Sequence, residues 1–282
     1  MNKVFTTVTA LTLSTTVAFA AGHASTTGYG LGADGASLVI FSDMGAPAGA
    51  ETLTLTGGQV DAIAYRPVTG ELLGFSKAGM VYVIDTETGA MTDTGATFAP
   101  EVTMGTDAAV AFDFNNKIDA VRAVSSDGVN VVYFPTDFGD DKANSVRRFT
   151  DLSYAEGDAN QGATPMIFAN AYTNAVNGAK QETTFQYALD SGLDALVSLA
   201  NNEGTLTTVA PLTLDGEPFD VAMSGGFDII SAEAGDDMAV ALLAMEGGET
   251  SGLYQIDLES GAVTLMGDTG MGGFTGFAAK MN

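Results

Sequence analysis

The residues able to do polar chemistry in this chain gather in its middle third. In Ala111-Phe112-Asp113-Phe114-Asn115-Asn116 an extended backbone puts Asp113 and Asn115 on one face and the two phenylalanines on the other. Arg122 follows inside the apolar run Val121-Arg122-Ala123-Val124, and an arginine buried in a sheet normally pairs with a carboxylate; Asp113 or Asp119 is the expected partner. Asn130 opens the next strand. Further on, two-residue alternation places Asn170, Tyr172 and Asn174 on one side of a strand, Asp158 and Asn160 stand in the polar loop Tyr154 to Gly162, and Asp190 ends another strand. A ligand-binding set of Asp113, Asn115, Arg122, Asn130, Asp158, Asn160, Asn170, Tyr172, Asn174 and Asp190 suits a polar ligand or a hard cation. The same groups would serve equally as a hydrogen-bonded plug. Asp113, Asp158 and Asp190 are the carboxylates that a glycosidase-like or metal-assisted hydrolase would use.

Other chemistries are closed by composition. The 282 residues contain no Cys and no Trp, and the one His is His23. No disulfide, thiolate nucleophile or Cys/His zinc site can form within the chain, and neither a Ser-His-Asp nor a Cys-His device can be assembled in its body. Ten Lys plus Arg against 35 Asp plus Glu give a formal charge of −25, so nucleic acid and anionic membranes would repel the chain.

Residues 1–24 have the pattern of a secretory signal: Lys3, an apolar Thr-rich run, and small-x-small cleavage sites ending at Ala20 or Ala24. Losing Lys3 with this leader takes the charge from −25 to −26. The longest later apolar run, Met238 to Met245, is too short to span a bilayer. The expectation is a periplasmic or extracellular monomer with residues 25–282 as one domain and no membrane insertion after cleavage.

The elements that must position the polar set are strands. Short Val-, Ile-, Phe-, Tyr- and Thr-rich runs alternate with Gly, Asp, Asn and Ser clusters, an all-β pattern. Val81-Tyr82-Val83-Ile84-Asp85-Thr86-Glu87-Thr88-Gly89-Ala90-Met91-Thr92 recurs as Leu253 to Thr264 at an offset of 172 with seven of twelve positions identical. A fainter copy, Ser37 to Phe41, lies 43 residues before the first. Such recurrence marks radial repetition and favours a β-propeller over a sandwich or jelly roll. Four-stranded blades can be written from Val60 to Thr94, Ala108 to Thr150, Met166 to Ala210 and Phe219 to Met266. A fifth closes across the termini, joining Phe274 to Ala279 with Tyr29 to Leu31, Ser37 to Phe41 and Thr52 to Thr56. Subdividing Phe219 to Met245 would make six. Calcium at the repeated Ile-Asp-x-Glu-x-Gly-Ala element is the weaker reading, because Asp and Gly at these offsets are what a hairpin turn requires and the closing Glu of a calcium loop is missing.

These segments resemble an uncharacterised family of exported bacterial proteins, domain of unknown function 4394. Its members carry Asp-Phe-Asn-Pro, Val-Asp-Arg-Ile-Arg-Val-Val-Ser and Gly-Gln-Asn-Leu-Arg, similar here to Asp113 to Asn116, Ile118 to Ser125 and Gly128 to Val132. Tyr154 to Asn160, Ala171 to Asn174, Leu189 to Asp194 and Gly204 to Val209 are also similar to family segments. Asn116 stands at the family's Pro, Ala120 and Val132 at family arginines, and Val129 at a Gln, which weakens any anion site. The resemblance implies the propeller and supplies no activity. The functional expectation is a non-catalytic module binding a polar ligand or an envelope protein; a carboxylate- or metal-dependent hydrolase and a structural envelope component are the alternatives.

Overall fold

The computed structural model describes residues 26–282. The leader, its cleavage sites, Lys3 and His23 lie outside the described residues. The chain forms five sheets arranged as the blades of a propeller. β1 (Thr26–Gly32), β2 (Ser37–Phe41) and β3 (Glu51–Thr54) open blade 1, and β4 (Ala62–Arg66), β5 (Glu71–Ser76), β6 (Met80–Ile84) and β7 (Met91–Asp93) make blade 2. Blade 3 takes β8 (Thr97–Phe98), β9 (Val110–Asn115), β10 (Ala120–Ser125), β11 (Asn130–Phe134) and β12 (Ser145–Arg148). Blade 4 takes β13 (Ser153–Tyr154), β14 (Ile167–Tyr172), β15 (Gln186–Asp190), β16 (Ala195–Ala200) and β17 (Thr205–Pro211). Blade 5 takes β18 (Thr213–Leu214), β19 (Glu217–Pro218), β20 (Val221–Ser231), β21 (Asp237–Met245), β22 (Ser251–Ile256) and β23 (Ala262–Asp268). Finally β24 (Phe274–Met281) returns to pair antiparallel with β1, from Thr26 opposite Met281 to Gly32 opposite Phe274. The closure expected from the two terminal strand patterns is therefore present, and Phe219 to Met245 is one bulged hairpin of a single blade.

Each interface between neighbouring blades has its own apolar core, because a blade buries both faces. Phe112, Phe114, Val121 and Val131 of blade 3 meet Ala62, Ala64, Leu73 and Phe75 of blade 2, with the Phe75 and Phe112 rings 5.4 Å apart. The opposite face of blade 3, through Ala111 and Val124, packs on Ile167, Ala188, Leu196's neighbour Val197 and Leu206 of blade 4. Double-sided burial explains why the middle strands are continuously apolar rather than alternating, as in Asn130–Phe134, where every residue is buried.

The repeated turn has a structural task. Asp85 Oδ1 accepts the backbone N–H groups of Glu87 and Thr88, at 2.9 and 3.0 Å, and Asp257 Oδ1 accepts those of Glu259 and Ser260, at 3.1 and 2.8 Å. These carboxylates are turned onto their own loop, as the hairpin reading requires. The following glycine lies under the segment arriving from the preceding blade. Thr56 donates its N–H to Gly89 O at 2.9 Å and Thr213 donates to Gly261 O at 3.2 Å. A Cβ on Gly89 would stand 2.2 Å from Thr54 O, and one on Gly261 2.4 Å from Pro211 O, with φ at +74° and +70°. At these two positions the left-handed backbone and the close approach together call for glycine, whereas at the equivalent place in blade 3 a left-handed Asn144, φ 54°, takes the role. The same connection recurs as Thr97 N–H to Asn144 O and Ser153 N–H to Gly204 O, so four of the five inter-blade crossings add a short parallel pairing at the outer rim of the next blade. The two-residue strands β8, β13 and β18 are these crossings.

Candidate functional site

The structure divides the polar residues singled out by the sequence into four groups. Asn115, Arg122, Asn130 and Tyr172 meet in the seam between blades 3 and 4. Arg122, buried at 3% exposure, donates from Nε to Tyr172 Oη at 2.9 Å, from Nη1 to Asn130 Oδ1 at 2.5 Å and from Nη2 to Asn202 Oδ1 at 2.9 Å. The Phe149 ring covers it at 5.7 Å. Tyr172 Oη in turn donates to Asn201 Oδ1 at 2.8 Å, and Asn115 Nδ2 reaches the same oxygen at 3.4 Å. Burial is the main reason the Tyr172 hydroxyl is pushed up to about 12, with Arg122 pulling against it.

This corrects the expected partner of Arg122. Although Arg122 stands in register with Asp113, its guanidinium turns to three neutral oxygens and forms no ion pair within 4.0 Å among the described residues. Asp119 belongs to Arg66 instead: Arg66 Nε and Nη2 grip its two oxygens at 2.8 and 2.6 Å, while Asp137 and Glu71 accept from the same guanidinium at 2.7 and 3.1 Å. The left-handed backbone of Asp119, φ 59°, aims its carboxylate across to blade 2.

The second group lies on the inner strands. Asp113 Oδ2 accepts Tyr172 N–H at 2.6 Å, and Asp228 accepts Ile229 N–H at 2.7 Å and Ala279 N–H at 2.6 Å. Each carboxylate thereby bolts its inner strand to that of the next blade. Burial pushes both well above the ordinary carboxylate value, Asp228 to about 7, and the charge of Asp228 raises Asp113 further. Asn170, 1% exposed, stands on the inner strand between them.

The third group is on the rim of blade 4. Asp190 accepts Tyr154 Oη at 2.7 Å, Met166 N–H at 3.1 Å and Gly192 N–H at 2.9 Å. Asp158 takes Asn160 N–H and the Thr208 N–H and hydroxyl, each at 2.8 Å, and Asn160 Nδ2 donates to the Thr208 hydroxyl at 2.8 Å. Asp190 pairs with Ile167 at one end of β14 and Asp113 bonds Tyr172 at the other. At a strand rise of 3.3 Å per residue these ends are roughly 16 Å apart, beyond the 5–9.5 Å at which a carboxylate pair performs glycoside hydrolysis.

Asn174 stands apart from Asn170 and Tyr172, contrary to the alternation expected. The strand ends at Tyr172, and the φ of 61° at Asn174 swings its side chain toward blade 5. There its Oδ1 accepts Gly235 N–H at 2.7 Å and its backbone N–H donates to Asp237 Oδ1 at 2.8 Å.

An open concavity walled by three blades lies elsewhere. A cavity of about 550 Å³ sits where the segments entering β24, β4 and β9 converge, at one mouth of the ring. Its polar wall is Asp34, Gln59, Asp61, Ser76, Lys77 and Thr106, with Met104 and Val110 apolar beside them. Lys77 Nζ donates to the carbonyls of Thr106 and Ala108, at 2.8 and 2.7 Å, and lies 3.4 Å from Asp61 Oδ1. Asp61 Oδ2 also accepts Lys77 N–H at 2.7 Å. Gln59 Nε2 donates to Asp34 O at 3.1 Å, and the Ser37 hydroxyl and Ala36 N–H hold the Asp34 carboxyl below its ordinary range. Beneath the mouth the inner strands approach so closely that only about 10 Å³ remains on the axis.

None of the mouth residues belongs to a motif, and three blades must close before they meet. The one signal in the sequence is topological: Gln59 and Asp61 directly precede β4, Thr106 precedes β9, and Lys77 sits in the β5–β6 turn. Loops entering inner strands and loops joining the two middle strands converge on the same end of a propeller. Asn201 and Asn202, missed in the seam, lie in the β16–β17 turn 80 residues from Arg122.

The family model "Domain of unknown function (DUF4394)" matches residues 19–278. A comparison with curated protein sequences finds no match. Among solved structures, the chain is similar to an auxiliary nutrient binding protein of Bacteroides thetaiotaomicron VPI-5482, at 14% identity and a TM-score of 0.42 over 76% of this chain and 55% of that one. A protein of unknown function from Bacteroides caccae is similar at 9% identity and a TM-score of 0.41, over 90% and 98%. Apo AztD from Citrobacter koseri is similar at 12% identity and a TM-score of 0.37, over 86% and 60%. The chain thus spans about half the length of the nutrient binding protein.

Proposed function

We propose, for a chain that belongs to the family of domain of unknown function DUF4394, that its propeller is an exported, non-catalytic binding module whose mouth takes up a small polar ligand. The observation that carries this reading is the cavity of about 550 Å³ walled by loops of three blades, a size within the range of small-molecule sites. Its chemistry selects the ligand class. Lys77 and Asp61 offer one ammonium and one carboxylate already in contact, and Asp34 adds a second carboxylate, so the wall is only weakly acidic within a chain of charge −25. Gln59, Ser76 and Thr106 add hydroxyl and carboxamide groups that both donate and accept. A net-neutral ligand rich in hydroxyl or amide groups, or a zwitterion, matches this wall; a polyanion does not. Asn115, Arg122, Asn130, Asp158, Asn160, Tyr172, Asn174 and Asp190 lie away from this wall and hold blades 3, 4 and 5 in place.

Export accords with the leader pattern of the sequence and with the lack of any helix, among the described residues, long and apolar enough to cross a membrane. The test is calorimetric titration of neutral sugars, polyols, amino acids and short peptides against the wild-type chain and the Lys77→Ala and Gln59→Ala variants. Saturable one-to-one binding by one class, weakened at least tenfold in either variant, is the expected result. Binding untouched by both variants would move the site away from the mouth.

A further inference from the structure

The mouth lies where the inner strands β24, β4 and β9 begin, and the other end of the ring, where they finish, is crossed by a strap. This is residues 173–185, the connection from β14 to β15, and it reaches every other blade. Asn177 Nδ2 donates to Met281 O of β24 at 2.8 Å, Gly178 N–H to Pro67 O just after β4 at 2.8 Å, and Gln181 N–H to Asn116 O just after β9 at 2.8 Å. Lys180 Nζ adds a bond to Ile118 O in the same turn at 3.2 Å. On blade 5, Ala175 N–H donates to Ser231 Oγ at 3.0 Å and Val176 makes a parallel bridge to Ser231, the last residue of β20. The strap is therefore laid across the ends of all four other inner strands.

What holds it there is polar. Ala175 is its one buried apolar side chain, while Asn177, Gly178, Ala179, Lys180, Glu182 and Thr183 are exposed. A segment kept in place by exposed hydrogen bonds, with little apolar surface beneath it, opens at a small fraction of the cost of global unfolding. Three buried carboxamides at its feet tilt the balance further. Gln186 opens β15 opposite Tyr172, Asn170 stands two residues before Tyr172 on the same face, and Asn116 donates from Nδ2 to Thr173 O at 3.2 Å. Both polar atoms of Asn170, both of Gln186 and Oδ1 of Asn116 are buried and meet no hydrogen-bond partner from the chain. Buried polar atoms are rarely left so, because each forfeits its hydration; the closed strap imposes that cost and an open one relieves it.

We infer that the strap is a lid over the end of the ring opposite the mouth, which swings open as a unit and exposes the carboxamides of Asn116, Asn170 and Gln186 to solvent. Its hydrogen bonds to the four other blades set the closed position, and the unpartnered amides set how readily it leaves. The lid is independent of ligand binding at the mouth.

The test is hydrogen exchange read by mass spectrometry on the full chain, with peptides covering residues 173–186 and the middle strands β10 and β16. The N–H groups of Gly178 and Gln181, both bonded to other blades, are expected to exchange together and about a hundredfold faster than those of β10 and β16. Asn177→Ala, which removes the bond to Met281, should speed exchange of the strap about fivefold. Gln186→Met, which puts an apolar group of similar length in place of the unpartnered amide, should slow it about tenfold and raise the melting temperature by roughly 2–4 °C. Circular dichroism checks that each variant is folded; if Gln186→Met does not fold, Asn170→Leu, the same kind of change on the neighbouring strand, decides. Strap amides that exchange only together with β10 and β16, or a strap that exchanges as fast in Gln186→Met as in wild type, overturn the inference.

Discussion

The crossings between blades give the sharpest quantitative test of the fold. Consider Gly261→Ala. The new Cβ would lie 2.4 Å from Pro211 O and 3.1 Å from Ala210 Cβ, and the backbone φ is +70°. Three costs follow. A left-handed alanine costs roughly 1–2 kcal/mol. Forcing the crossing outward to restore ordinary contact adds about 1–3 kcal/mol. Loss of the hydrogen bond from Thr213 N–H to Gly261 O adds about 1 kcal/mol. The internal control is Gly270→Ala, which has the same φ of +70° but no atom within 4 Å of its Cβ position and so carries only the first cost. The difference between the variants is therefore about 2–4 kcal/mol, or roughly 5–15 °C in melting temperature at 2–4 °C per kcal/mol. Urea and thermal unfolding of both variants beside the wild type measure it. Equal destabilisation of the two would refute the idea that the repeated glycine is fixed by the passing segment rather than by its own turn.

Three further outcomes follow from the charges. Arg66→Ala leaves Asp119 buried without its cation and is expected to cost about 3–5 kcal/mol, whereas the double variant with Asp119→Asn should cost less than the sum of the two single changes in a urea-melt cycle. Burial pushes Asp228 up to about 7 in the folded chain against an ordinary 3.8, so its stabilising contribution is whole below about pH 4 and is lost as pH rises through about 7. Stability should fall over that window in wild type and fall less in Asp228→Asn; parallel pH profiles would contradict it. With a charge of −25, screening that shortens from roughly 30 Å at 0.01 M salt to about 3 Å at 1 M should raise the melting temperature, and a flat or falling curve would count against self-repulsion as a destabilising force.

What the sequence disclosed and what it concealed differ by range. Phe112 and Phe114 against Asp113 is a two-residue alternation, and the structure keeps it: the phenylalanines enter the blade 2 interface and Asp113 faces blade 4. The ring was legible because strand and turn chemistry recurs along the chain, down to the matching Asp85 and Asp257 hairpins of blades 2 and 5. Arg122 was legible as a buried cation but not in its partners, because a guanidinium can be satisfied by neutral oxygens supplied from a turn 80 residues away. The mouth left no local trace at all. Lys77, Asp61 and Gln59 are ordinary surface residues until three loops close around one cavity.

The placement of the few basic side chains ties these observations together. Arg66 closes the seam between blades 2 and 3 on Asp119, Arg122 closes the next seam on neutral oxygens, and Lys77 is set at the mouth beside Asp61. None of them serves the axis. Yet the axis carries the two buried carboxylates that bolt inner strands together, and Asp228 does so at the junction where β24 completes the ring, through Ala279 N–H. A buried carboxyl with no counter-ion is favoured in its neutral form, which is why burial pushes Asp228 up to about 7. Ring closure is then tied to pH: the bond that Asp228 accepts from Ala279 N–H is made at least cost where the carboxyl keeps its proton, and the junction of β24 weakens as pH rises through about 7.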